Sequence, residues 1–215
     1  MNDVVLATVA GALGRHLRGR GHPTDGVELK GFVPVSVRAD VERGALGNRV
    51  AAMIAPLPVW CEEPIARLEI VREAMAGLKE SGQAVGAQAL TELGGFAPAT
   101  IMGQASRLMS AQRFFNVVIT NVPGPQFPLY LMGRQMVDPF PMVPLAPGQG
   151  VGIALMSYNG RLDFGLVGDY ELMWDLDELA EDVRDALGEL AQAAGVRLRE
   201  PEAAPQAHPE SPVTL

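Results

Sequence analysis

Residues 150–169, GVGIALMSYNGRLDFGLVGD, decide how this chain folds. Two β-rich runs flank Asn159-Gly160, the dipeptide that a type I′ turn requires because both central residues take positive φ. The stretch is therefore a hairpin. FFNVVIT (114–120) is a short apolar run of the kind that lies inside a sheet. VELKGFVPVSV (27–37) and NRVAAMIAPLPV (48–59), the latter closed by Pro56 and Pro58, read as two more strands around the loop ADVERGALG. A further small hairpin is expected around Gly133 in the Pro- and Gly-broken segment 121–145.

Between these strands the apolar period changes from two to three and four. Asn2 and Asp3 are helix-start residues, because their side-chain oxygens accept orphan backbone N–H groups. Leu6, Val9, Leu13 and Leu17 then share one face, and Arg15, Arg18 and Arg20 suit the C-terminal end of the dipole. From Glu62 to Glu80, Pro64 stands in a first turn, and Ile65, Leu68, Val71, Met75 and Leu78 trace one face. Residues 82–112 read as one or two helices interrupted by Gly94, Gly95 and Pro98. A last helix begins at Asp175, with Glu178 placed for a capping box, and carries Leu176, Leu179, Val183, Leu187 and Leu190. The segment from Glu200 onward has almost nothing to bury and reads as a disordered tail, 200–215, behind a single domain, 1–199. Strands mixed with helices make this an α/β chain.

Composition narrows the function. Of 215 residues 48% are apolar, enough for a sizeable core, and the net charge of −8 has no basic cluster. Nucleic acid is therefore not an expected partner. One cysteine, Cys61, excludes an internal disulfide framework and fits a reducing, cytoplasmic compartment. The first segment has its acidic and basic ends reversed relative to a secretory signal, and it is shorter than the ~20 apolar residues that cross a bilayer. No Cys/His/carboxylate cluster has metal spacing, so no metal is expected.

Histidine is the usual base near neutral pH, and there are three. His16 lies late in the first helix, His22 in the turn GRGHPTDG, and His208 in the tail; none sits in a catalytic pattern. Cys61 has no evident activating base and reads as structural. Asp163-Phe164-Gly165 imitates a kinase tripeptide but lies inside a hairpin strand without the rest of that signature. Gly148, Gly150 and Gly152 lead into a strand rather than a helix, which suits a turn and close packing more than a phosphate. In VITNVPGP, by contrast, Thr120 and Asn121 stand at the tip of a buried strand, held by prolines around Gly124. A hydroxyl and an amide held there can donate into a cleft and stabilise an oxyanion, or simply end a strand.

NVVITNVPGPQFPLYLMG (116–133), followed by GQGVGIALMSYNGRLDFGLVGDYELMWDLDELAEDV, resembles the C-terminal domain of the bacterial wax ester synthase/acyl-CoA:diacylglycerol acyltransferases. MNDVVLATVAGALGRHL and LKGFVPVSVRADVERGALGNRVAAMIAPLP resemble earlier parts of the same domain in the same order, so the likeness runs from residue 2 to about 195. It implies the C-terminal half of a chloramphenicol-acetyltransferase-like, condensation-domain-like fold, a mixed sheet flanked by helices. It also implies transfer of a fatty acyl group from acyl-CoA, as substrate rather than cofactor, to diacylglycerol or a long-chain alcohol.

The family's His-His-x-x-x-Asp-Gly motif, which supplies the general base, has no counterpart among residues 1–215. That implies a chain incomplete by itself, with the histidine on a preceding or partner N-terminal half. Thr120 falls where related acetyltransferases keep an oxyanion-stabilising serine. Asn2-Asp3 matches the family's Asn-Asp motif, and with Asn121 and Gly124 it is assigned to substrate binding. Asp163-Phe164-Gly165 is assigned to architecture. A cytoplasmic protein at the inner membrane face or at lipid inclusions follows from such substrates, and a non-catalytic lipid- or protein-binding module is the alternative.

Overall fold

The computed structural model describes residues 2–36, 50–80, 115–145 and 148–198. The loop 39–47, the helices expected in 82–112 and the tail from Glu200 lie outside them. In chain order the elements are α1 (Asn2–Gly19), β1 (Leu29–Ser36), β2 (Val50–Leu57), α2 (Pro64–Glu80), β3 (Val117–Pro123), β4 (Tyr130–Leu131) and β5 (Arg134–Gln135). β6 (Val151–Tyr158), β7 (Arg161–Gly168) and α3 (Leu176–Ala193) follow.

The main sheet has the order β2-β1-β3-β6-β7. β1 runs antiparallel to β2 and β6 antiparallel to β7, whereas β3 is parallel to both β1 and β6. The sheet is therefore mixed, and β3 lies at its centre. Asn159 and Gly160 take φ of 46° and 79°, as a type I′ turn demands, and Met132 and Gly133 at 50° and 76° make the second hairpin.

One face of the sheet packs on the helices. Val117 and Ile119, Ile153 and Leu155, and Met53, Ala55 and Leu57 join Leu6, Val9 and Leu13 of α1, Val71 and Met75 of α2, and Leu179 and Val183 of α3 in one core. The one-faced stripe expected of α1 is only part of what is found. Every residue from Val5 to Gly14 is buried, because the sheet, α2 and α3 enclose the helix on several sides.

The opposite face carries a strap. Residues 136–145 pass without regular secondary structure across β6 and β7, and Tyr158 fixes the start of the strap by donating its hydroxyl to the Met136 carbonyl at 3.1 Å. A Cβ on Gly152 would lie 2.7 Å from Val143 Cγ1, and one on Gly165 would collide with the Pro141 carbonyl. Gly152 and the glycine of Asp163-Phe164-Gly165 are thus bare because the strap crosses them, which is the architectural role expected.

Two local expectations fail. Thr120 and Asn121 do not end their strand: β3 continues to Pro123, pairing Thr120 with Ala154 and Asn121 with Leu155, because β6 extends alongside it that far. Asp175 precedes α3 but makes no side-chain cap. Its carboxylate is held by the Arg20 guanidinium instead, with Nε at 2.6 Å and Nη2 also bound, so the ion pair joining α1 to α3 displaces the local bond.

Candidate functional site

The candidate residues meet where α1 begins and β3 ends. Asn2 opens α1, and its Oδ1 accepts a hydrogen bond from Asn121 Nδ2 at 2.7 Å. Two segments far apart in sequence, Asn2-Asp3 and NVPGP, are therefore one structural unit. Along β3 the side chains alternate, and Asn121 takes the helix-facing side with Val117 and Ile119. Thr120 is half-buried and takes the other side, with Val118 and Val122. The amide and the hydroxyl thus project from opposite faces, so of the two only Asn121 joins Asn2.

Asp3 is half-buried beside this pair. Its Oδ1 and the Oδ1 of Asn121 are both buried, with no hydrogen-bond donor among the described residues. One Asn121 N–H is given to Asn2, and the unpaired atoms at this corner are acceptor oxygens. Gly124 follows directly: its N–H donates to the Ser157 carbonyl at 2.9 Å, and a Cβ would collide with that same oxygen. The prolines set the turn, and the missing side chain lets it close onto β6.

Two residues that sequence reasoning missed lock this turn. Gln126 Nε2 donates to the Gly124 carbonyl at 3.0 Å and to Ser157 Oγ at 3.3 Å, and Gln126 Oε1 accepts from Gly160 N–H at 3.0 Å. The Tyr158 hydroxyl accepts from Leu129 N–H at 2.7 Å. Neither residue belongs to a motif by spacing. A tyrosine buried on the strap face of a hairpin strand is the only hint, since buried phenols find polar partners.

The described histidines, His16 and His22, lie elsewhere. His16 is buried at the far end of α1, its imidazole 3.4 Å from Asp175 and 3.4 Å from Asp182. His22 lies in an exposed turn nearby. Arg20 holds the Asp175 carboxyl below the usual carboxylate range, whereas burial raises that of Asp182 against the attraction of His16 and Arg15. Arg15 spans Asp182, Asp185 and Glu189 on α3. Two concave features, of about 490 and 440 Å³, lie at this end and are open grooves among these ion pairs. They have no residue in common with the Asn2–Asn121 unit, and His16, which lines the smaller of them, lies between Asp175 and Asp182.

Other titratable groups are structural. Burial raises the Asp163 carboxyl, reinforced by Asp138, which is itself paired with Arg161 at 2.6 Å. Glu63 accepts from Ile65 N–H at 3.0 Å and from Ala66 N–H, which caps α2 and lowers its own pKa. Cys61 is buried with Sγ 3.7 Å from the Glu63 carbonyl. Among the described residues no group of three or more His, Cys, Asp or Glu side chains is arranged to hold a metal ion. No described helix is long and apolar enough to cross a membrane.

A helix-backed mixed sheet whose central strand ends against the first turn of a helix defines a class. The wax ester synthase/diacylglycerol acyltransferase of Marinobacter aquaeolei VT8 superposes with a TM-score of 0.69 at 27% identity, over 91% of this chain and 44% of that one. The epimerization domain of tyrocidine synthetase B shares the fold, with a TM-score of 0.56 at 13% identity. The architecture is that of the C-terminal half of a chloramphenicol-acetyltransferase-like domain.

The model of the WS/DGAT C-terminal domain matches residues 46–191, and the chain belongs to that family. It is 34% identical over 192 residues to the probable diacylglycerol O-acyltransferase tgs1 of Mycobacterium tuberculosis, and 35% identical over 200 residues to tgs2 of the same organism. The chain spans 42% and 43% of the length of these relatives.

Proposed function

We propose that this chain is the C-terminal part of an O-acyltransferase that moves a fatty acyl group from acyl-CoA to diacylglycerol or a long-chain alcohol. The observation that carries the reading is the Asn2–Asn121 bond, which joins the two family segments at one end of the sheet. The described histidines, His16 and His22, lie at the other end of α1. The general base is therefore supplied by a histidine-bearing N-terminal half, on another polypeptide or on a longer form of this one, and the chain is inactive without it.

In the reaction that histidine takes the proton of the acceptor hydroxyl as the oxygen attacks the thioester carbonyl. The carbonyl oxygen becomes an oxyanion, the C–S bond then breaks, and the CoA thiolate leaves and takes up the proton. Thr120 donates its hydroxyl hydrogen to the oxyanion, a role that suits a half-buried hydroxyl on the face of the central strand turned away from the helices. The acceptor oxygens of Asp3 and Asn121 orient groups that donate. Acyl-CoA is a substrate and no resident cofactor is required. Lipid acceptors place the protein in the cytoplasm at the inner membrane face or at lipid inclusions.

The test is to mix the chain with the histidine-bearing N-terminal portion of the tgs1 protein and assay triacylglycerol and wax ester from acyl-CoA. Product above that of either component alone is expected; its absence, once the two are shown to associate, counts against catalysis. The second reading, a non-catalytic lipid- or protein-binding module, is favoured by the exposed Leu131 and Met132. Capture on an acyl-chain probe separates the two, because a simple lipid binder ignores competing CoA.

A further inference from the structure

Residues 124–137, GPQFPLYLMGRQMV, contain one charge, Arg134, in a chain with a net charge of −8. Phe127, Leu129, Tyr130, Leu131 and Met132 are all exposed, Leu131 at 77% and Met132 at 96%. Scattered surface apolar residues need no account, but five within six positions on one projection do. The hairpin is not loose at its root. Tyr158 takes Leu129 N–H and gives its hydroxyl hydrogen to Met136, Met136 N–H closes on the Leu129 carbonyl at 2.9 Å, and Asn159 N–H reaches the Pro125 carbonyl at 3.1 Å. β4 and β5 pair only with each other, through Tyr130–Gln135 and Leu131–Arg134. A two-stranded hairpin is marginal in water by itself, so a root fastened this way holds an apolar tip in one place at an entropic cost met in advance.

We infer that the β4–β5 hairpin is a preformed docking arm for the polypeptide that supplies the remaining length of this family's longer members. The inference rests on the two-part reading given above. The occupant follows from length and chemistry. The chain spans 42% of tgs1, so more than half of that protein lies outside the matched part. The arm leaves the sheet at the end where Asn2, Asn121 and Gly124 lie, since Gly124 binds the Ser157 carbonyl and β4 begins six residues later. A body seated on the arm is thereby brought to the candidate site. The near absence of charge suits an apolar polypeptide groove, and an anionic lipid surface would call for a basic cluster that the arm lacks.

The experiment uses this chain and the N-terminal portion of the tgs1 protein as the probe. Binding is measured by interferometry, and hydrogen exchange is followed on the mixture. The arm variant is Leu131→Asp with Met132→Asp, both exposed, and aspartate tolerates the positive φ of Met132. The control is Tyr170→Ser at an exposed apolar position on the other end of the sheet. Binding weakened about 100-fold by the arm variant and unchanged in the control, with slowed exchange at 130–135 on mixing, is the result expected. An unaltered thermal midpoint shows that the variant folds.

Binding that ignores the arm variant overturns the arm alone and leaves the two-part reading standing. No binding by the unaltered chain overturns both. The arm inference also fails if its substitution instead abolishes a dimer of this chain, or abolishes binding to diacylglycerol-containing phosphatidylcholine vesicles while binding to the probe survives.

Discussion

A hydrogen atom is all that Gly165 has room for beneath the Pro141 carbonyl. Gly165→Ala must push the strap off β7 or bend the strand, a change of the overpacking kind that costs roughly 1–3 kcal/mol. Urea unfolding should show the loss at unchanged slope, and a midpoint equal to that of the parent would mean that the strap is not seated there. Thr120 is governed by chemistry. Thr120→Ala in the assembled enzyme should lower kcat about 100-fold with little change in KM, and Thr120→Ser should restore most of it. An unaltered kcat in the alanine variant removes Thr120 from the oxyanion role. The residue types at this site were legible in the sequence, but their direction was not. Thr120 and Asn121 look like one polar tip until the pairing with β6 through Pro123 puts them on opposite faces.

At the scale of elements, α1 packs against α2, α3 and β2, and Arg67 and Arg20 are two of the cations that hold it. Arg67 of α2 is buried with no carboxylate bonded to it among the described residues. Its Nε donates to the Ala7 carbonyl at 2.9 Å, and its Nη1 donates to Cys61 at 2.8 Å and Glu62 at 3.0 Å. Burial lowers the Arg67 pKa, and the flat guanidinium lies against Gly11, where a Cβ would come within 2.6 Å of its central carbon. Arg67→Met keeps bulk but orphans these carbonyls, and at ~1–3 kcal/mol per buried unsatisfied group a loss of at least ~2 kcal/mol is expected in urea unfolding. A loss below ~0.5 kcal/mol would show that water replaces the guanidinium freely.

At the other end of α1, Arg20 grips Asp175, whose side chain is 1% exposed. Because the folded carboxyl titrates below its unfolded value of about 3.9, the pair stabilises the protein above that value, and the gain disappears as pH falls through the folded pKa. Asp175→Asn should therefore destabilise clearly at pH 7 and progressively less toward pH 3. A gap of constant size over that range would show that the charge contributes nothing. Helix periodicity made α1, α2 and α3 legible as elements. It could not reveal that Asp175 serves a distant arginine instead of its own helix, because tertiary ion pairs leave no local period.

For the whole molecule the sheet is the deciding feature. β2 and β7 are the outer strands, and β7 keeps eight residues, Arg161 to Gly168, with a described partner on one side only. The hairpin was legible because Asn159-Gly160 admits few other readings. The parallel pairing of β3 with β1 and β6 was not, because non-local register leaves no mark in one sequence. Hydrogen exchange should therefore rank β3 and β6 slowest. In β7 the amides directed toward β6 should be protected, while the alternate, outward amides exchange at least ~100-fold faster. If every β7 amide in the isolated chain were as slow as those of β6, a strand from a second molecule would have to be paired along that edge, and the five-stranded sheet would be part of a larger one. If instead the outward β7 amides stay fast while 130–135 slow on adding the N-terminal portion, the partner rests on the arm and leaves this edge free, so assembly of the cleft does not proceed by extending the sheet at β7.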